Sequence, residues 1–272
     1  KQPNPSVTDI YYRKLVLTLI NQLGSGHWKR ILKLDAYNEA TNTQYGFYLL
    51  KNGGDLILVD ISFGIARRAL VKAAEKRLSY SVHLIVADFR RMPLRPECVD
   101  MSCSFGSIEH VPEYSWAFYE QVYAVRKGGE VFVGVPNLLN FSLRALSAKI
   151  LHVMGLMKKM TNPERHFLKS QLISLARSLN LDDIALTGYH LFPKQLRWLD
   201  LWMGYRSVDT LRKSRLFHWL LKTFTLIELR YPFARIFAEM IIVKGVKRSE
   251  RDTGLRSLSG EAIGINQRPR ST

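Results

Sequence analysis

Five short apolar runs punctuate the first half of the chain: Lys29–Asp35, Leu56–Asp60, Val82–Ala87, Val99–Ser104 and Glu130–Val135. Segments with helical spacing of their apolar residues lie between them. Short Val-, Ile- and Leu-rich runs that alternate with helices predict parallel strands buried on both faces. The expected helices begin with Tyr11–Leu23, apolar at Leu15, Leu17, Leu19, Ile20 and Leu23 and stopped by Gly24-Ser25-Gly26. Thr41–Lys51, closed by Asn52-Gly53-Gly54, Phe63–Arg77 and Tyr114–Val125 follow. An open sheet of this kind takes its ligands at the carboxyl ends of its strands. Asp60 and Asp88 fall at two of those ends.

Beyond Pro136-Asn137 the pattern changes. Leu143–Met157 and His166–Leu181 read as helices, Ile184–Tyr189 as a sixth strand and Phe237–Lys244 as a seventh. Between these last two strands runs a long basic and aromatic connection, Leu191–Pro232. Its Leu196–Met203 stretch carries Trp198 and Trp202. Its Leu211–Phe224 stretch sets Leu216, Phe217, Leu220, Leu221 and Phe224 on one side and Arg212, Arg215 and Lys222 on another. Such a helix can lie in a membrane interface, or it can pack as an ordinary lid over the site. The organisation expected is a helical lead-in over 1–28, a catalytic domain over 29–190 and 233–246, an insertion over 191–232 and a polar, disordered tail over 247–272.

Composition narrows the compartment and the partners. With 47% hydrophobic residues among 272, the chain can bury a full α/β core. Cys98 and Cys103 sit on and just before one predicted strand, a placement that favours two reduced thiols in a reducing compartment. They have no companion pair for a zinc site, and no metal is expected. No uncharged apolar run is long enough to span a bilayer. A cytoplasmic protein, peripheral at a membrane at most, is the expectation. The formal charge is +17, and 151–272 holds 21 basic and 10 acidic residues against 19 and 13 in 1–150. A field of that sign attracts nucleic acid, anionic lipid or an acidic substrate; a solvated basic face explains it equally well.

The candidate chemistry lies at the strand tips. Asp60 can accept hydrogen bonds from both hydroxyls of a ribose, although alone it would pass for a helix-start acid. Asp88 can accept one from an adenine amino group, or simply start a turn. Around them stand VDIS at Val59–Ser62, ADFRRMPL at Ala87–Leu94, DMSCSFGSIEHV at Asp100–Val111, RKGGEVFVGVPN at Arg126–Asn137 and ERHFLKSQL at Glu164–Leu172. In this order and spacing, Arg30–Tyr189 resembles the class I S-adenosylmethionine-dependent methyltransferases, in particular the type 11 group that includes ubiquinone-biosynthesis enzymes. The resemblance implies a Rossmann-like α/β fold: a seven-stranded, mostly parallel sheet with a reversed last strand, helices on both faces and a helical insertion before that strand. It implies S-adenosylmethionine as cofactor, with Asp60 at the ribose, Asp88 and Phe89 at the adenine, Ser104 beneath the methionyl end, and Ile61 among the cofactor-binding residues.

One departure stands out. The family's first motif is an acid followed by a glycine-rich turn, and here the same place reads KLDAYNEA, Lys33–Ala40, with no glycine. Glycine lets backbone approach a ligand closely, so this loop must crowd or reshape the pocket. Lys33 stands in the place of the acid, and Asp35 or Glu39 is expected to take over the contact to the cofactor's ammonium group. A degenerate site that only binds is the alternative. The missing G-x-G-x-x-G argues against a nicotinamide dehydrogenase. For a hydroxyl acceptor a general base is needed, and His110 and His166 are the candidates, each also readable as a structural histidine. The fourth strand ends in Ser104-Phe105-Gly106-Ser107, without the Pro-Pro or Pro-Cys signature of nucleic-acid methyltransferases, which lowers an RNA acceptor. A small-molecule or lipid-like acceptor, of quinone or isoprenoid type, fits better.

Overall fold

The computed structural model describes residues 6–50, 53–140, 164–205 and 214–248. Its one sheet is built from β1 (Arg30–Leu34), β2 (Asp55–Asp60), β3 (Val82–Val86), β4 (Val99–Phe105), β5 (Val125–Pro136), β6 (Leu181–Tyr189) and β7 (Met240–Lys247). Their order across the sheet is β3-β2-β1-β4-β5-β7-β6. β1 to β5 pair in parallel, and β7 runs antiparallel to both of its neighbours. The expected Rossmann-like sheet with a reversed last strand is present. From β1 the chain steps outward through β2 and β3, then returns to the far side of β1 for β4. That reversal opens a crevice at the carboxyl ends of β1 and β4, where ligands of such sheets bind.

Two cores flank the sheet. On one face lie α1 (Val7–Leu23), α3 (Tyr45–Leu49), α4 (Phe63–Glu75) and α8 (Arg215–Arg230). On the other lie α5 (Tyr114–Ala124) and α6 (Lys169–Ser178). α1 begins earlier than its apolar spacing suggests because Ser6 and Asp9 form a reciprocal capping box. It ends at Gly24, where an added Cβ would meet Trp28 at 2.7 Å. α4 presents Ala66, Ala69 and Ala73 to the sheet, and these small side chains let the helix lie close against it.

Several boundaries differ from the sequence expectation, each for a visible reason. The single helix expected over Thr41–Lys51 is two short ones, α2 (Tyr37–Thr41) and α3, separated by Gln44 in the left-handed region at φ 56°. β5 starts at Val125, ahead of the Gly128-Gly129 pair, across which its pairing with β4 jumps from Val99–Val125 to Met101–Glu130, with Gly128 at φ 74°. The helix expected from His166 begins only at Lys169, since Phe167 bridges Asn137 as extended chain. The Leu143–Met157 helix and the tail beyond Arg248 lie outside the described residues, as do Arg212 and the start of the second insertion helix.

The insertion contributes α7 (Lys194–Tyr205) and α8, then a 3-10 turn over Pro232–Phe237. The apolar side foreseen for membrane contact packs inward: Phe217 and Leu221 are buried, and Phe192 meets Phe217 and Phe224 edge-on at 5.8 and 5.5 Å. Burying a side chain such as Phe217 contributes about 1.5–3 kcal/mol. Leu216, expected on that same side, instead faces outward with Trp219 and Leu226. No helix among the described residues is long and apolar enough to cross a membrane.

Candidate active site

A cleft of about 510 Å³ opens at the crevice. Its walls come from the loop after β1 (Asp35, Tyr37), the end of β4 (Phe105, Gly106), the junction of β6 and β7 (Tyr189, His190, Met240), Tyr12 of α1 and Arg197 of α7. Asp35 adopts φ 67°, the left-handed conformation that the missing first glycine would have supplied. Its Oδ1 accepts the Tyr37 N–H at 2.5 Å and its Oδ2 accepts the Ser107 hydroxyl at 3.1 Å. The turn is therefore held by its own carboxylate where a glycine loop would rely on conformational freedom.

Beneath it, Lys33 and Glu39 form a fully enclosed ion pair at 2.9 Å. Lys33 also donates to the Asp35 carbonyl at 2.5 Å, and Glu39 Oε1 accepts the Gly46 N–H at 2.9 Å. Burial alone would pull the Lys33 ammonium down in pKa, but Glu39 and then Asp35 outweigh it and hold it above the ordinary lysine range. Both side chains were expected at the cofactor. Both have zero exposure, and each faces the other inside the loop, so the cleft meets only Asp35 of the three.

At the tip of β2, Asp60 is nearly buried, and each of its oxygens accepts one backbone N–H, from Ala36 at 2.9 Å and Ser62 at 2.7 Å. A carboxylate offers about four lone-pair sites, so acceptor capacity remains. Ile61 beside it is 67% exposed, a large apolar side chain left bare at a strand tip. Asp60 pairs with Val86 in the β2–β3 register, which brings Asp88 to the adjacent tip. There Arg90 grips Asp88 with Nε and Nη2 and reaches Glu113 with Nη1 at 2.6 Å. The Arg90 hydrogen bonds keep the Asp88 carboxyl below its usual range. Phe89 packs half-buried against the α5 core. Asp60, Ile61 and Asp88 thus share one edge of the crevice, outside the lining of the 510 Å³ cleft.

Residues 41–133 match the family model described as a methyltransferase domain. The sheet order and the crevice agree with that match. Over that stretch, about a third of the chain, the sequence is similar to a methyltransferase domain. Solved structures share the fold at low identity. A SAM-dependent methyltransferase of Thermotoga maritima, described as a possible histamine N-methyltransferase, is 14% identical with a TM-score of 0.57, the alignment covering 89% of this chain and 92% of that one. Phosphoethanolamine N-methyltransferase 2 of Haemonchus contortus, solved with phosphomonomethylethanolamine and S-adenosylhomocysteine, is 16% identical with a TM-score of 0.57, covering 88% of this chain and 53% of that one. The cyclase SpnF is 13% identical with a TM-score of 0.55, covering 87% and 81%. No curated protein matches the sequence.

Within this fold, the other expected residues separate. Ser104 is fully buried under the sheet, its hydroxyl accepting from Gln121 of α5 at 3.2 Å, and it is Phe105 and Gly106 that reach the cleft. His110, on the 3-10 turn after β4, lines the cleft, with Nε2 4.0 Å from Glu164. His166 does not line it. Glu109, His110 and Glu164 bring three donor atoms within 4.8 Å of one another, a set that no sequence spacing suggested.

Other cleft groups went unforeseen. Tyr12 falls inside the expected first helix and Arg197 inside the basic insertion, and neither was singled out there; Tyr189-His190 carried no motif. In the folded chain Arg197 lies 4.2 Å over the Tyr12 ring and donates to Thr8 at 3.1 Å and Asp9 at 3.0 Å. Its partners come from the other end of the sequence, and no local pattern could have found them.

Proposed function

We propose that this methyltransferase moves a methyl group from S-adenosylmethionine to a small-molecule or lipid-like acceptor of quinone or isoprenoid type. The observation that carries the reading is the cleft itself. It is an aromatic-walled space at the β1/β4 switch point, with a carboxylate, Asp35, fixed at its floor. The residues suit the cofactor. Asp35 offers negative charge toward a cationic sulfonium and its α-ammonium group. Asp60 keeps lone pairs for two ribose hydroxyls, Ile61 offers an apolar surface to the base, and Asp88 offers an acceptor to the adenine amino group once it shares Arg90. Bound there, the cofactor supplies a methyl carbon on a sulfonium, whose bonding pair returns to sulfur on transfer.

The protein's own work is placement and exclusion of water. Orientation of the two reactants can supply about 7–11 kcal/mol of the barrier reduction. Tyr45, Phe105 and Tyr189 give the acceptor side flat apolar walls. The test is calorimetry with S-adenosylhomocysteine on the wild type and on Asp60→Ala. Loss of charge-assisted hydrogen bonds worth about 1.5–3 kcal/mol predicts affinity lower by roughly 10- to 150-fold. Equal binding by both proteins refutes the ribose role.

A second reading has one specific observation behind it. The sealed Lys33–Glu39 pair and Tyr37 occupy the space of the glycine loop, as a binding module without catalysis would allow. A folded wild type that binds no S-adenosylhomocysteine favours that module.

The insertion adds a peripheral role at the cytoplasmic face of a membrane. The exposed Leu216, Trp219 and Leu226, flanked by exposed Arg215, Lys222 and Arg230, support contact with anionic lipid. Co-sedimentation with phosphatidylserine vesicles should fall several-fold in Leu216→Ser/Trp219→Ser. Binding indifferent to anionic lipid and to both substitutions removes the membrane contact.

A further inference from the structure

Two buried polar atoms at the inner wall of the cleft have no partner among the described residues: the Tyr12 hydroxyl and His190 Nε2. The side chains are 2% and 8% exposed, and both line the cleft. Their rings stack, centroids 3.3 Å apart and planes at 15°. Leaving a buried donor or acceptor unmet is costly, so native structures rarely do it without a ligand, a water or a catalytic reason. Here both such atoms belong to stacked residues that line one cleft, the site proposed above for methyl transfer. His190 is also held at φ 70°, a conformation uncommon for a non-glycine residue and one that clusters at functional sites.

We propose that Tyr12 and His190 form the acceptor subsite and handle its proton. The Tyr12 hydroxyl donates to the acceptor oxygen, His190 Nε2 takes that oxygen's proton, and the group accommodated is a neutral aromatic hydroxyl. This rests on the cleft being the transfer site. The groups around the pair favour a hydroxyl over an ammonium. Arg197 covers the Tyr12 ring at 4.2 Å, so positive charge already lies behind the wall. An oxygen gaining negative charge is stabilised beside it, although Arg197 is ion-paired to Asp9, and Asp35 and Glu239 line the same cleft. The Tyr45, Phe105 and Tyr189 rings suit a planar acceptor.

In the step, the O–H bond breaks, its electron pair stays on oxygen, and the proton forms an N–H bond with the Nε2 lone pair. As the oxygen acquires its new carbon bond its proton becomes strongly acidic, so even a weak base suffices. The imidazolium then releases the proton to solvent.

Protonation states agree with these roles. Burial, and then Arg197, keep His190 well below the ordinary histidine range, so it stays neutral with an acceptor nitrogen available. Burial raises the Tyr12 phenol well above its usual range and keeps it a donor. The ionisable groups around the pair are Tyr11 of α1, Arg197 of α7, Tyr189 of β6, Tyr45 of α3, Glu228 of α8 and Glu239 before β7, with Asp35, His110 and Lys194 lining the same cleft.

The experiment is an NMR titration of the imidazoles, with His190 assigned by comparison with His190→Asn, a residue that tolerates the same backbone conformation. In the wild type the His190 ring should titrate below pH 6.5 and shift on addition of phenol, but not on addition of 2-phenylethylammonium. Tyr12→Phe and His190→Asn should each weaken phenol binding about tenfold or more, and leave S-adenosylhomocysteine affinity within about twofold. Turnover of an aromatic hydroxyl substrate by His190→Asn should fall by roughly 10²- to 10⁴-fold. A His190 ring that titrates normally and ignores phenol, or a preference for the ammonium probe, overturns the proposal. Wild type that binds phenol at His190 but no S-adenosylhomocysteine supports the subsite and removes the methyl-transfer reading, so the two fail separately.

Discussion

Glu39→Gln probes the device that replaces the glycine loop. Gln Oε1 can keep the Gly46 N–H bond, but its amide nitrogen then faces the Lys33 ammonium, donor against donor, at a site with no water contact. Removing one partner of a fully buried pair leaves an uncompensated charge and costs about 3–5 kcal/mol. With a urea m-value of about 3 kcal/mol/M, the midpoint should drop by about 1 M or more. Lys33→Met/Glu39→Leu should recover most of that, because a well-packed apolar pair of similar volume is often neutral or stabilising. Recovery should be incomplete, since the Lys33 bond to the Asp35 carbonyl is lost as well.

The pH dependence has a definite sign. Lys33 is held above its ordinary 10.5, so the pair's stabilisation is complete below that pH and is lost as pH rises through the higher folded-state value. The measurement is urea denaturation at neutral pH and above pH 10.5, with S-adenosylhomocysteine affinity in parallel. A Glu39→Gln midpoint indistinguishable from wild type refutes the claim that this pair carries the loop.

Two further outcomes follow from named contacts. Burial pushes the Glu228 carboxyl up to about 7, so the fold holds its proton more tightly than the unfolded chain does. Stability should therefore fall by about 3 kcal/mol as pH rises from 4.5 to 7, and Glu228→Gln should flatten that slope in denaturation curves. An unchanged slope removes the assignment. At Gly188 an added Cβ would collide with the Arg235 carbonyl, so Gly188→Ala should force the 3-10 turn off β6 and lower the melting temperature by several degrees; unaltered melting would show that this contact yields easily.

The strands, their order of appearance and the acidic tips were readable because a parallel sheet buried on both faces needs apolar runs of strand length, and its ligands need polar groups where those runs stop. Asp60 and Asp88 were singled out that way, and Asp35 from comparing the loop after β1 with the family's first motif. The Lys33–Glu39 pair was visible as two charges in an unexpected loop, but which atoms they would face was not, because a charge close to an apolar run can be solvated or sealed. His110 and His166 are only 56 positions apart and looked alike, yet one lines the cleft and the other does not. Spacing picked out Phe217, Leu221 and Phe224 of the inward side of α8 but put Leu216 with them, and Leu216 faces outward with Trp219, since helical period alone does not fix where a buried face ends.

Tyr12, His190 and Arg197 show where local reading ends. Each is ordinary in its own segment: an aromatic on a core helix, a histidine after a strand, an arginine in a basic insertion. They become one chemical group only when β7 carries the chain back beside β5, bringing the β6 end, the insertion helix and α1 around a single space. Periodicity is a property of neighbours in sequence and is set by backbone geometry. A pKa, an unmet hydrogen bond or a stacked ring pair is a property of neighbours in space, and exists only once the sheet has closed.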